Sequence, residues 1–347
     1  MAKTVPVEQA VGMVLPHDIT EIRRGEFKGR AFRKGHIVRP EDIDHLKRLG
    51  KENIYILEMT PEDIHENEAA QLMAAALAGP GVEVAGEPME GKLSLTASRD
   101  GLLRVDREAL YRFNLLGEVM CATQHSETLV KQGQQVAATR LIPLVGHRQA
   151  VEAAVAIASQ QGQGVVRVDP LRVARAGLVI TGNEVYSGRI KDTFEPVLRQ
   201  KMTGVGSEVV QVVKAPDDAG QIAAAIRECL AAGADLIITS GGMSVDPDDV
   251  TRIGIARTGA TDITYGTPVL PGAMFLVAYL PGERGEIPIM GLPACGMFHR
   301  ITVLDLILPR ILAGEKIGRE AFARLGHGGL CLNCKKCIFP VCPFGKA

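Results

Sequence analysis

The stretch that most constrains the fold is ADLIITSGGMSVDPDDVT, residues 234–251. Its apolar run at 236–238 has the composition of a strand that is buried on both faces of a sheet. The run ends at Gly241 and Gly242, which let the backbone turn sharply and let a ligand come close. A helical pattern resumes at 250–251. The stretch therefore predicts a strand, a Gly-rich turn and a helix start, which together form an anion site in open α/β sheets.

Polar side chains follow the two glycines directly, namely Ser244, Asp246, Asp248 and Asp249. In one interpretation the glycines only make a tight turn and the aspartates only cap the next helix. Four hydroxyl or carboxylate groups are more than a helix cap needs. We therefore favour a binding site at this turn.

Composition excludes several classes of function. The chain has 347 residues, 46% of them hydrophobic and 23% charged, which allows two or three globular domains. A net charge of -1 and an aromatic content of 4% argue against nucleic-acid binding and base stacking. No apolar run approaches the roughly 20 residues of a membrane span, and the first residues lack a secretory hydrophobic segment. We therefore expect a cytoplasmic protein without a membrane partner.

The chain divides into six predicted segments. They are an N-terminal α+β segment at 1–59, a helix within 60–81, a β-rich subdomain at 82–147, a helical connector at 148–171, an α/β domain at 172–314 and a Cys-rich tail at 315–347. The helix is expected to start at Pro61, with Thr60 as its cap. Strands alternate with helices in the α/β domain, which predicts a mostly parallel, three-layer sheet covered on both faces. The basic residues between 23 and 34 predict a solvated loop, with a phosphate clamp as the alternative.

Three more loops follow strands of the α/β domain. They lie at 181–192, at 268–272 and at 291–296, and each is marked by glycine or proline. Each loop alone is a weak signal, and the first has a simpler interpretation as a polar loop in which Asp192 or Thr193 caps a helix. Loops at the carboxyl ends of strands can, however, converge on one crevice.

Residues 172–314 resemble the molybdopterin-binding domain shared by molybdopterin molybdotransferases and molybdopterin adenylyltransferases. TGNE at 181–184 is similar to the TGDE of that family, and SGGMSV at 240–245 is similar to its SGGxSxG. The PG at 271–272 resembles the PGxP loop, and the GLP at 291–293 resembles the GLPGNP loop. Gly188, Ile190, Asp192 and the DVT at 249–251 also fit. The N-terminal third more loosely resembles the start of the molybdotransferases.

The resemblance implies that the ligand is molybdopterin, a pterin dithiolene phosphate, bound with Mg²⁺. The second substrate would be either molybdate or a nucleotide such as ATP. It also implies a homo-oligomer whose partners are cofactor-biosynthesis proteins or a molybdoenzyme. Asp249 is the first candidate for an essential role in catalysis, and Asp192 is the second. The implied cofactor-binding residues are Thr181, Gly182, Asn183, Glu184, Gly188, Ser240, Gly241, Gly242, Ser244, Asp246, Pro271, Gly272, Gly291, Leu292 and Pro293.

Departures from the family pattern leave the reaction open. Asn183 stands where the family has an aspartate, and Asp246 stands where it has a glycine. Ala294, Cys295 and Gly296 replace GNP, and Cys295 is either a thiol ligand or a buried bystander. The step is molybdotransferase-like or adenylyltransferase-like. The alternative is a non-catalytic carrier, or a redox sensor of the cofactor.

The tail carries the second strong signal. Four cysteines crowd together there as Cys331-x2-Cys334-x2-Cys337-x4-Cys342, followed by proline. A reducing cytosol disfavours disulfides, so metal ligation is the better interpretation. The run resembles a ferredoxin-type [4Fe–4S] motif with one extra residue before the last cysteine. Zn²⁺ is the alternative, but paired C-x2-C knuckles usually lie further apart, so we favour iron–sulfur.

Two further expectations concern the surroundings of this metal site. His327 is a weak additional candidate ligand. The apolar residues of the tail are expected to pack over the cluster and shield it from water: Phe339, Pro340, Val341 and Phe344.

Overall fold

The computed structural model describes residues 2–23, 27–57, 59–244, 246–283 and 285–346. The chain forms two compact units. The first comprises Met1–His125 with Val130–Asp169, and the second comprises Ser126–Leu129 with Pro170–Ala347. In the described ranges, no helix combines the length and apolar character needed to cross a membrane.

The first unit mixes short strands and helices. Its helices are α1 (Asp42–Arg48), α2 (Glu66–Leu77), α3 (Arg107–Leu115) and α4 (Arg148–Ser159). Its strands are β1 (Ala2–Pro6), β2 (Ile19–Arg23), β3 (Phe27–Phe32), β4 (Asn53–Leu57), β5 (Asp63–His65), β6 (Val82–Met89), β7 (Lys92–Ala97), β8 (Gly101–Val105), β9 (Val119–Thr123), β10 (Leu129–Val130), β11 (Gln135–Leu141), β12 (Val145–His147) and β13 (Val166–Asp169).

The start of α2 corrects the predicted start at Pro61. The Asp63 carboxylate accepts hydrogen bonds from the backbone N–H and the hydroxyl of Thr60, which makes a turn instead of a helix. Residues 63–65 then pair with β12 as a short strand. The helix begins only after this strand, and the His65 side chain caps it by accepting from the Asn67 N–H.

The predicted basic loop is largely a hairpin of β2 and β3. Within the described residues, Arg30 pairs with Asp18 at 3.1 Å, and the Lys34 ammonium lies 3.2 Å from the His65 ring. Arg24 lies outside the described residues. These contacts neither require nor supply a bound phosphate.

The second unit is an α/β domain that also includes the tail. Its strands are β14 (Arg175–Thr181), β15 (Glu208–Ala215), β16 (Leu236–Ser240), β17 (Thr261–Tyr265), β18 (Leu276–Gly282) and β19 (Gly285–Leu292). Its helices are α5 (Asn183–Tyr186), α6 (Phe194–Gly204), α7 (Ala219–Ala231), α8 (Thr251–Ala256), α9 (Val303–Leu312) and α10 (Arg319–Arg324).

The six strands form one sheet in the order β15-β14-β16-β19-β18-β17. The first four strands run parallel to one another, but β18 pairs antiparallel with both β19 and β17. The prediction of a mostly parallel three-layer sheet is therefore not confirmed in this detail, since the sheet is mixed. The reason is local: the short connection between β18 and β19 closes a hairpin, and a parallel pair needs a much longer crossover.

Both faces of the sheet are buried, which explains the continuous apolar run at 236–238. Leu178 and Ile238 belong to one apolar cluster, whereas Val179 and Ile237 belong to another. Successive residues of a strand point to opposite faces, so both clusters draw on the same two strands.

The last long helix, α9, does not follow β19 directly. Residues 294–297 first form a single 3₁₀ turn. Thr302 and Asp305 then make a reciprocal capping box that starts the helix at Val303.

Candidate functional site

The crevice of the second unit lies at the carboxyl ends of β14, β15 and β16. These strands are adjacent and parallel, so the loops that follow them meet at one edge of the sheet. The crevice encloses ≈ 580 Å³. Eight of the residues predicted from the sequence line it, namely Thr181, Gly182, Asn183, Glu184, Gly241, Gly242, Asp246 and Asp249.

Thr181 ties the strand ends together at the floor of the crevice. Its buried hydroxyl donates to the backbone oxygen of Ser240 at 2.8 Å and lies 3.1 Å from the hydroxyl of Thr251. Gly242 has a φ of 56°, and a side chain at this position would overlap the Thr251 hydroxyl. The glycine is therefore needed both for its backbone conformation and for the close approach of the loop to α8.

Asp217 is a crevice residue that the sequence reasoning missed. Its carboxylate accepts from the Asn183 N–H at 2.8 Å, and its own N–H donates to the Asn183 side-chain oxygen at 3.2 Å. The reciprocal pair joins the loop after β14 to the loop after β15. Thus Asn183, the residue that departs from the family pattern, holds a carboxylate from a neighbouring loop at the crevice.

The crevice concentrates negative charge around Asp217. Burial raises the pKa of the Asp217 carboxyl, the Asn183 N–H lowers it, and the carboxylates of Glu184, Asp248 and Asp249 raise it. The net result is a raised pKa, because burial and repulsion outweigh the hydrogen bond. Such a group holds its proton to a higher pH than an isolated aspartate does.

Asp249 stabilises the turn before α8 and does not cap that helix. Its carboxylate accepts from the Asp246 N–H at 3.2 Å, and its N–H donates to the Asp246 backbone oxygen at 2.9 Å. The cap position of α8 is Val250, which makes no side-chain cap bond. The interpretation of these aspartates as simple helix caps is therefore wrong for α8. Residue 245, part of the predicted motif, lies outside the described residues.

Asp192 has a different position. One carboxylate oxygen accepts from the Phe194 N–H at 2.8 Å and from the Glu195 N–H at 3.3 Å, so it caps α6. The other oxygen is buried without a hydrogen-bond partner. The crevice lining includes the neighbours Lys191 and Thr193 but not Asp192 itself. Lys191 is an exposed cationic residue of the lining and was also missed from the sequence.

Several other predicted residues support the crevice without lining it. Leu292 accepts from the Gly241 N–H through its backbone oxygen at 3.2 Å and so holds the glycine turn. Gly272 packs against Val303 too closely for any side chain, at the start of α9. The remaining predicted residues outside the lining are Gly188, Ser240, Ser244, Pro271, Gly291 and Pro293. Cys295 is half-buried in the 3₁₀ turn, and burial raises the pKa of its thiol.

The metal predictions receive no direct support from side-chain placement. Within the ranges that the structure describes, no three His, Cys, Asp or Glu side chains are grouped so as to hold a metal ion. This applies to Mg²⁺ in the crevice and to a single metal ion in the tail. His327, the additional candidate, is exposed.

A family model matches the part of the chain that carries the crevice. Residues 177–313 match the family described as "Probable molybdopterin binding domain". This match covers β14 to α9, and it includes every residue predicted to bind the cofactor. Residues 4–58 match a second family, which is described only as a domain of unknown function (DUF8806).

Curated relatives match over a short stretch. A CinA-like protein from Mycobacterium sp. (strain MCS) is 32% identical over 121 residues, which are 35% of this chain and 29% of the relative. A CinA-like protein from Mycobacterium tuberculosis (strain ATCC 25618 / H37Rv) is 39% identical over 84 residues, which are 24% of this chain and 20% of the relative. The chain thus spans less than a third of these relatives.

Solved structures with a related fold include two proteins named MoaB. The molybdopterin biosynthesis enzyme MoaB from Thermus thermophilus is 21% identical, with a TM-score of 0.34 over 41% of this chain and 98% of that one. The tungsten cofactor synthesizing protein MoaB from Pyrococcus furiosus is 16% identical, with a TM-score of 0.32 over 41% of this chain and 96% of that one.

Proposed function

We propose that the crevice binds molybdopterin and that the protein acts in molybdenum cofactor biosynthesis. The observation that carries this proposal is a coincidence of position. The loops that meet at the crevice belong to the same residues, 177–313, that match a molybdopterin-binding family. The crevice also lies where open α/β sheets bind their ligands, outside the carboxyl ends of the strands.

The chemistry of the lining suits a phosphorylated pterin bound with Mg²⁺. Magnesium is usually held by one or two carboxylates together with substrate phosphates and water, so a complete protein cage is not required. Asp217, Asp248 and Asp249 offer carboxylates that repel one another, and a divalent cation would relieve this repulsion. Lys191 offers a positive charge for the phosphate. Bound Mg²⁺ would supply charge neutralisation between the phosphate and these side chains.

We propose a transferase step of the molybdotransferase or adenylyltransferase type, with molybdate or ATP as the second substrate. Recipient molybdoenzymes or other biosynthetic proteins would be the partners of a homo-oligomer. The second candidate is a non-catalytic carrier or redox sensor of the cofactor. It is favoured by the loop after Pro293, because Cys295 stands where the family pattern has a polar Asn and only Ala294 of residues 294–296 lines the crevice.

A binding experiment with the full chain tests this proposal. Molybdopterin released under anaerobic conditions from a purified molybdoenzyme is titrated into the protein with and without Mg²⁺, ATP and molybdate. Pterin binding followed by consumption of ATP or molybdate supports the transferase. Binding without turnover selects the carrier, and absence of pterin binding at micromolar protein overturns both functions.

Asp249→Asn gives the sharper residue-level test. The amide oxygen can still accept from the Asp246 N–H, so the turn and the unfolding temperature are expected to persist while the charge is lost. Transferase turnover, or Mg²⁺-dependent pterin affinity, is expected to fall by about 100-fold. Asp192→Asn is the comparison variant and should have a smaller effect, because Asn caps helices about as well as Asp does. Full activity in Asp249→Asn would contradict a role for its charge.

A further inference from the structure

The four cysteines of the tail converge on one cavity. This cysteine cavity encloses ≈ 670 Å³ and is lined by residues 298–301 and by most of 330–344. Cys331, Cys334, Cys337 and Cys342 all belong to its lining. All four are free thiols, and the cavity is separate from the lining of the crevice.

Backbone bonds hold this segment in place at both ends. At its start, the Leu270 N–H donates to the backbone oxygen of Gly329, and the Cys331 N–H donates to the backbone oxygen of Leu270, each at 2.8 Å. At its end, the Gly345 N–H donates to Gly328 at 3.0 Å, and Phe344 is buried in the core of the unit. The cysteines therefore lie on a loop of fixed position and not on a trailing terminus.

The placement of the four cysteines around one cavity suits a cluster better than a single metal ion. A tetrahedral zinc site requires all four sulfurs at about 2.3 Å from one point. In a [4Fe–4S] cluster each cysteine binds a different iron, so the sulfurs surround a common space, as the four cysteines surround this cavity. Their spacing along the chain is also similar to the ferredoxin run.

The charge of the lining agrees with an anionic centre. Lys335 and Lys336 lie between the cysteines, and His299 and Arg300 line the same cavity. Nearby cations favour the thiolate form, which is the form that binds metal. No aspartate or glutamate is among the residues that line this cavity.

Apolar side chains around the cavity are left in water. Phe298 is 82% exposed, and Leu330, Leu332 and Ile338 are also exposed although they line the same space. Exposed apolar groups that are gathered at one place usually mark a binding site. A hydrophobic shell around a metal centre also controls access of solvent to it.

We propose that this cavity binds a [4Fe–4S] cluster through the four cysteine thiolates. Each thiol releases its proton to solvent as its sulfur coordinates iron. The cluster itself comes from supplied ferrous iron, ferric iron and sulfide, so that no further oxidant is needed, or preassembled from the cellular assembly machinery. Phe339 and Phe344 lie on the protein side of the site, since both pack with the core. Pro340 and Val341 are exposed and neither lines the cavity, so their packing over the cluster stays a prediction.

Metal and sulfide analysis of the full chain tests the proposal. The protein is purified without oxygen and reconstituted with ferrous iron, ferric iron and sulfide. It is then assayed for iron, zinc and acid-labile sulfide, and by EPR after reduction with dithionite. We expect about four iron and four sulfide per chain. One zinc per chain without sulfide, or no metal at all, overturns the proposal.

Cysteine variants assign the ligands. Changing Cys334 and Cys337 together to Ser should abolish sulfide incorporation and the EPR signal. Cys295→Ser is the matched control, because Cys295 is a half-buried thiol outside the cavity lining, and it should retain the full cluster. Equal iron and sulfide in the double variant and the control overturns the proposal. Circular dichroism and pterin titration show that each variant is folded, and they report on the crevice independently of the cluster.

Discussion

The crevice and the cysteine cavity lie in the same unit but are built differently. In the crevice, loops that follow three adjacent parallel strands bring together side chains from distant parts of the chain, from Thr181 to Ala294. In the cysteine cavity, a single segment without regular secondary structure supplies all four thiols. The crevice therefore depends on the sheet, whereas the cavity depends on a few anchors that hold one segment.

This difference has a consequence for stability. Groups positioned by buried strands are released only when the sheet opens, which requires most of the free energy of global unfolding. The cavity has fewer anchors, so we expect it to open locally at a smaller cost. Bound metal would add to these anchors, because ligand binding to the folded form stabilises that form. Substitutions that damage one site and spare the other test the comparison.

The largest effect on the crevice alone is expected from Gly242→Ala. A residue other than glycine at a φ of 56° costs about 1–2 kcal/mol, and the new methyl group would also overlap the Thr251 hydroxyl that lies beside Thr181. We expect pterin affinity, measured by titration, to fall by about 100-fold. The iron and sulfide content should not change.

Gly206→Ala is the matched control for this change. Gly206 has a φ of 72°, but a methyl group there would meet no heavy atom within 4 Å. It therefore introduces similar backbone strain without the overlap, at a site outside the crevice lining. Equal pterin affinities in the two variants would mean that the close packing of the loop on α8 has no role in binding.

The next effect in size is expected from Phe344→Ala, which acts on the cavity alone. Phe344 is 3% exposed and packs in the core, with its ring edge toward Phe339. Truncation of a buried phenylalanine lowers the free energy of unfolding by about 3–5 kcal/mol. Here the tail can detach locally, which would make the decrease in global stability smaller. We expect faster hydrogen exchange over residues 328–346 and a lower cluster content, with unchanged pterin affinity.

Val341→Ala provides the comparison, because Val341 is 80% exposed and its truncation removes little packing. If Phe344→Ala and Val341→Ala show the same exchange and the same iron content, the buried phenylalanine is not an anchor of the cavity. If Phe344→Ala also weakens pterin binding, the two sites do not open independently.

Sequence patterns predicted the parts of the molecule that depend on local chemistry. The run at 236–238 is a strand buried on both faces, and the glycine turn after it lines the crevice, because apolar continuity and glycine freedom act over a few residues. The antiparallel β18 was not predictable in the same way. Its direction follows from a short hairpin connection, and strand composition does not report direction.

The crevice residues that were missed show a related limit. Asp217 and Asp218 are adjacent, and Asp218 caps α7 by accepting from the Gln221 N–H at 2.8 Å. Either of two adjacent aspartates can cap a helix, so the sequence does not say which one lines the crevice. The useful signal was position, since Asp217 follows the end of β15, beside the strand that precedes Asn183.

The smallest predicted effect is a change in pH dependence in Asp217→Asn. Burial and neighbouring carboxylates raise the pKa of Asp217 above its ordinary value of 3.8, so the folded protein holds its proton to higher pH than the unfolded chain does. The contribution of this group to stability is therefore fully present below pH 3.8 and is lost as the pH rises through the raised pKa. Asp217→Asn removes this loss, so at neutral pH the variant is expected to unfold at a slightly higher temperature than the wild type.

At neutral pH, Mg²⁺ should reverse the order of the unfolding temperatures, so that the wild type unfolds at a higher temperature than Asp217→Asn. The ionised Asp217 of the wild type gains a counter-charge, whereas the amide of the variant gains none, so added Mg²⁺ should raise the unfolding temperature of the wild type more. Asp218→Asn is the matched control, because an asparagine at position 218 can still cap α7 and this position lies outside the crevice lining. Parallel unfolding temperatures for the wild type and Asp217→Asn, across pH and with or without Mg²⁺, would show that the crevice carboxylates do not act as a cation site.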